Sequence, residues 1–171
     1  MIKADGHIFV LETAHTTYCF WRMETGHLEH LYYGRPLTLP EHPAERDVAP
    51  LMEKHTFAPG NTNLCDGEHP AFSLEDMRLE MSSYGKGDIR EPFVEIVHAD
   101  GSTTSDFRYE SYEITEKTAE TENGDLPGAY DEKGEAQRLS VRLRDHSFIM
   151  MSTQSAMRLC EAPFSSMRAG R

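Results

Sequence analysis

The sequence predicts an all-β fold, an antiparallel β-sandwich with one long Pro-rich loop and a short helix. Two observations carry this. Short runs rich in β-branched and aromatic residues recur along the chain, separated by turn-forming residues. The clearest run, RLSVRLR (138–144), alternates strictly: Leu139, Val141 and Leu143 share one face, and Arg138, Ser140, Arg142 and Arg144 the other. Many short strands with regular turn signals point to packed sheets.

The first 34 residues read as three strands, HIFVLE (7–12), TYCFWRM (17–23) and HLEHLYY (27–33). Glu24-Thr25-Gly26 is a Gly-ending turn that suits a hairpin between the last two. In the second strand Cys19, Trp21 and Met23 alternate with Tyr18 and Phe20, so both faces are apolar. Such a strand is expected between two covering layers, with no wet face.

Residues 35–81 lose this patterning and are punctuated by Pro36, Pro40, Pro43, Pro50, Pro59 and Pro70. AERDVAPLMEKH accommodates a short helix, expected to be interrupted at Pro50 because proline lacks the amide donor. FAPGNTNLCDGEHPAF (57–72) is a long irregular loop of turn formers, of a length usually functional or disordered. Strands resume over 93–98 and 105–114, joined through the Asp100-Gly101 turn. Residues 116–137 form an acidic, Gly-rich connection expected in solvent. After SFIMM (147–151) an antiparallel sheet should receive another strand, but the tail STQSAMRLCEAPFSSMRAGR (152–171) shows no strand pattern.

Candidate chemistry is sparse. Gly85-Lys86-Gly87 within SSYGKGDIREP (82–92) offers an anion-cradling nest. A dinucleotide fingerprint, however, needs a third glycine opening a helix, and Pro92 follows instead. A structural corner is the stronger reading, with glycine allowing left-handed angles and Asp88 and Arg90 pairing on one face. Nine histidines raise a metal site. His27 and His30, three apart in a strand, should point to opposite faces and cannot share an ion there. The others lack ligand spacing, so no metal and no cofactor are expected. None of the 29 carboxylates falls in a run that looks buried and paired. Ser82 and Ser83 lack the GxSxG elbow of a serine nucleophile. Trp21, Tyr32 and Tyr33 could stack on a sugar, although at strand spacing they more often fill a core.

Bulk properties bound the partners. The chain of 171 residues suits one domain and carries a net charge of −12. Such a charge repels phosphate backbones and anionic membranes, so neither nucleic acid nor membrane is expected as a partner. Three cysteines, widely spaced and without a CxxC pair, read as reduced thiols. No signal-peptide pattern or long apolar run appears, so a cytoplasmic location is expected.

The hairpin ETGHLEHLYYG, the loop FAPGNTN and the motif SSYGKGDIREP give the chain a recognisable face. LEHLYYG (28–34), SSYGKGDIREP (82–92), DFRY (106–109) and LPGAY (126–130) occur in that order. With these, the chain resembles the N-terminal β-sandwich domain of bacterial glycoside hydrolase family 36 α-galactosidases, from about Ile8 to Met151.

The resemblance implies a supersandwich-like domain, here incomplete, ahead of a catalytic (β/α)8 barrel. That barrel removes terminal α-galactose from sugars such as melibiose or raffinose with retention of configuration. Retaining hydrolysis needs two carboxyl groups roughly 5 Å apart. In the family both are aspartates of the barrel, a unit of about 250 residues that this chain does not reach. No catalytic residue is therefore assigned, and the chain alone is expected to be inactive.

What remains implied is scaffolding, homo-oligomer contacts and one wall of an α-galactoside pocket. For that wall the resemblance points to Glu53 and Lys54, while Asn61 and Asn63 of the same loop could bind hydroxyls. The alternative is a stand-alone carbohydrate-binding or subunit-pairing module. Residues 1–151 are read as the domain, and 152–171 as a non-matching tail left by truncation or frameshift of a longer gene.

Overall fold

The computed structural model describes residues 1–52, 74, 77–85, 87–88, 91–116, 137–147 and 156–158. These residues form mostly strands in antiparallel sheets, with one short helix, as the sequence predicts. The first sheet is a meander of β1 (Ile2–Ala4), β2 (Ile8–Glu12), β3 (Thr17–Arg22) and β4 (Leu28–Gly34). The sequence reading found three of these and missed β1. Its turn is a readable signal: Gly6 has φ 87°, and Asp5 Oδ1 accepts hydrogen bonds from the His7 and Ile8 amides, both at 2.8 Å. Helix α1 (Glu45–Met52) follows, then the short parallel pair β5 (Ser83–Tyr84) and β6 (Gly87–Asp88). A second sheet joins β7 (Phe107–Glu116), β8 (Gln137–Asp145) and β9 (Ala156–Arg158), each neighbouring pair antiparallel.

The alternation in β2 and β3 assigns each side chain to one of two layers. Phe9, Leu11 and Phe20 face the second sheet and pack with Phe107, Leu139, Val141 and Leu143. Phe9 stacks on Phe20 at 4.7 Å between centroids and meets Tyr112 edge-on at 5.4 Å. Ile8, Val10, Cys19 and Leu31 turn the other way, against Val48 of α1. The expectation that the strand of Tyr18 to Met23 lies between two layers is thus met. A bulge in β4 helps: Cys19 pairs with Tyr32 and Phe20 with His30, leaving Leu31 as the extra residue, buried on the helix side.

Three expectations need correction. Helix α1 runs through Pro50 to Met52 without interruption. Proline there forfeits one donor bond, but its ring stands on the exposed face, while Val48 anchors the opposite side in the core. At the helix start Asp47 Oδ2 accepts the Ala44 amide at 2.9 Å, half of a capping box. Residues 93–98 form no strand beyond a single bridge between Ser83 and Val94. The tail does supply a strand: β9 pairs Ala156, Met157 and Arg158 with Arg144, Leu143 and Arg142. The Asp100-Gly101 turn forms as expected, with Gly101 at φ 86° and its amide bonded to the His98 carbonyl at 2.9 Å. The SFIMM run beyond Ser147, the 57–72 loop, the Asp88–Arg90 pairing and all but one residue at each end of the 116–137 connection lie outside the described residues. Among the described residues no helix is long and apolar enough to cross a membrane.

Candidate functional site

The four pocket-wall candidates, Glu53, Lys54, Asn61 and Asn63, lie outside the described residues. Of the three aromatics, Trp21 and Tyr32 pack against the helix-side cluster. Tyr33 is 63% exposed. It touches Tyr18 edge-on at 6.2 Å.

The concentrated polar chemistry sits between the sheets, where the β3–β4 turn meets the start of β7. His27 closes that turn just ahead of β4, so strand alternation does not govern its direction. Its Nε2 lies 2.8 Å from Asp106 Oδ1 and its Nδ1 3.0 Å from Thr25 Oγ1. Asp106 Oδ2 accepts from Arg108 Nε at 3.1 Å and Nη2 at 2.9 Å. Thr25, His27 and Asp106 are all buried. Burial alone would raise the Asp106 carboxyl, but hydrogen bonds and positive charge from His27 and Arg108 outweigh it and hold the group at about 2. Backbone bonds continue the seam. The Tyr109 amide donates to the Gly26 carbonyl at 2.7 Å, and the His146 amide to the Asp106 carbonyl at 2.7 Å. On the far side the Asp106 amide donates to Asp145 Oδ1 at 2.9 Å, and Asp145 Oδ2 stands 3.5 Å from His98 Nε2.

This corrects the expectation that no carboxylate is buried and paired. The sequence hides the pair because His27 and Asp106 are 79 positions apart. No local spacing reports such a contact. The DFRY motif is nonetheless accounted for residue by residue: Asp106 meets His27, Phe107 enters the core, Arg108 grips Asp106, and Tyr109 bonds Gly26. The triad-like order Thr25–His27–Asp106 is closed to solvent and joins elements together.

A second cluster lies on the same side of β3 and β4. Tyr18 donates to Glu80 Oε2, and His30 Nδ1 lies 2.8 Å from Glu80 Oε1. His27 and His30 therefore serve different carboxylates from the same side of the sheet, not from opposite faces as strand alternation predicts, because His27 lies in the turn ahead of β4. Burial, then the Glu80 bond and charge, push the Tyr18 phenol far above its usual range. Burial and the same charge push the Cys19 thiol up to about 12. Among the described residues no group of three His, Cys, Asp or Glu is placed to hold a metal.

The SSYGKGDIREP corner is stitched to the same seam. Ser83 Oγ donates to the Ser105 carbonyl, and Gly85 sits at φ 80° against Thr104. Gly26 is similarly confined: at φ 86°, a Cβ there would meet Arg108 Cβ at 3.2 Å. We expect G26A to lose about 1–2 kcal/mol from backbone strain and displacement of Arg108. Urea unfolding measures it, and an unchanged midpoint would contradict the close packing.

Comparison with known proteins gives these residues a family. The glycosyl hydrolase family 36 N-terminal domain matches residues 26–154. The bifunctional α-galactosidase/sucrose kinase AgaSK of Mediterraneibacter gnavus is 31% identical over 82% of this chain and 14% of its own length. α-Galactosidase AgaA of Geobacillus stearothermophilus is 31% identical over 80% of this chain and 18% of its own. Among solved structures, the galactosidase domain of AgaSK superposes with a TM-score of 0.66 at 30% identity, covering 85% of this chain and 19% of that one. The α-galactosidase from Lactobacillus brevis gives 0.65 at 27%, covering 82% and 18%. The chain thus spans less than a fifth of the relatives it matches. Matched over most of its residues, it belongs to the glycosyl hydrolase family 36 N-terminal domain family.

Proposed function

We propose that this chain is the non-catalytic N-terminal β-sandwich of an α-galactosidase acting on terminal α-galactosides such as melibiose or raffinose. It serves as scaffold and oligomer contact, and Glu53, Lys54, Asn61 and Asn63 contribute one wall of the substrate pocket. The domain comprises residues 1–151, and the carboxylates that break the glycosidic bond belong to a (β/α)8 barrel outside this chain. One observation supports the non-catalytic reading most directly. The residues of the DFRY motif are spent on joining the sheets, with Asp106 sealed against His27 and Arg108. A carboxylate in that position cannot reach a substrate.

Incubating the purified chain with an aryl α-galactoside tests this. No turnover above a blank is expected. Turnover that survives chromatographic removal of contaminating host enzyme would overturn the reading.

A further inference from the structure

The outer face of the β7–β8–β9 sheet carries a row of cations in a chain of net charge −12. Register sets Arg108 opposite Arg144 and Arg142 opposite Arg158. Like charges facing each other across strands are destabilising. Two of these charges are answered, Arg108 by Asp106 and Arg144 by Glu110. Arg142 is exposed and makes no ion pair or side-chain hydrogen bond among the described residues. Nor does Glu113, although pairing Ser111 with Arg142 and Glu113 with Ser140 makes it the diagonal neighbour of Arg142. Long side chains reach across such a diagonal, yet this ready ion pair is not made. Between the two lies a groove of about 300 Å³ lined by Ser111, Tyr112, Glu113, Ser140, Val141 and Arg142.

The donor set restricts what fits. A guanidinium only donates, a carboxylate only accepts, and a serine hydroxyl does both. A simple anion would gain Arg142 but face Glu113, and a cation the reverse. A neutral polyol satisfies all four groups at once, accepting from Arg142 and donating to Glu113. The volume is at the lower end of small-ligand sites.

We propose that this groove binds a neutral polyol of mono- or disaccharide size. The groove shares no residue with the substrate-pocket wall proposed above and does not rest on that reading. The ring of Tyr112 packs edge-on against Phe9 in the core, so binding relies on hydrogen bonds without stacking. Affinity in the millimolar range is expected, about −4 kcal/mol.

Titrating the isotopically labelled chain with melibiose, and separately with inorganic phosphate, tests the proposal by amide chemical shifts. Saturable shifts centred on 111–113 and 140–142 are expected with melibiose and not with phosphate. R142A and E113A should each weaken the melibiose response about tenfold or more. Both residues are exposed, so the spectra should otherwise remain those of the folded chain. Absence of saturable shifts at these amides, a stronger response to phosphate, or a melibiose response indifferent to both substitutions would each overturn the site.

Discussion

Replacing Asp106 with alanine is expected to lower the unfolding free energy by about 3–5 kcal/mol, the cost of leaving a buried charge partner uncompensated. Asp106 is 4% exposed and binds both His27 and Arg108. Its loss strands a buried imidazole and removes the carboxylate that the partly buried Arg108 guanidinium holds. For a chain of this length the melting temperature should fall by roughly 10 °C. A loss below about 1 kcal/mol in urea unfolding would show that the seam rehydrates without disturbing the fold.

The same residue sets the acid limb of stability. The Asp106 carboxyl is held at about 2, below its ordinary 3.8, so the unfolded chain binds this proton more readily than the folded one. Its contribution is therefore fully present above about pH 4 and is lost as pH falls through 2, a difference of about 2 kcal/mol. D106N removes the titration, and its stability should vary less over that window than the parent chain's. Parallel acid curves for the two proteins would contradict this origin.

Phe9→Ala is expected to cost about 3–5 kcal/mol, the range for deleting a buried aromatic ring. Phe9 is 0% exposed and lies among Phe20, Tyr109 and Tyr112. Its ring meets Tyr109 and Tyr112 of the facing sheet, so its loss opens a cavity between the two layers. V97A makes the control: Val97 is 69% exposed, and its truncation should change stability by no more than about 0.5 kcal/mol. If F9A unfolds within 1 kcal/mol of the parent, the two layers are not held together by this cluster.

What was legible in the sequence follows from what is local. The alternation of Leu139, Val141 and Leu143 needs only one strand and one buried face, and the structure places all three in the core. The two-sided pattern of Tyr18 to Met23 likewise reported its two covering layers. The misses depend on distant partners or on brevity. Residues 93–98 have strand composition, but only Val94 finds a bridging partner. In β9, three unremarkable residues become a strand because β8 offers them an open edge. Helix α1 keeps Pro50 because a helix of eight residues gives up few bonds to it. The His27–Asp106 pair was out of reach of any spacing rule.

Because β2 and β3 have no wet face, α1 and the second sheet are bolted to opposite sides of the same two strands. A cavity opened in either strand is therefore felt on both sides at once, by the helix that rests on Val48 as much as by the facing sheet.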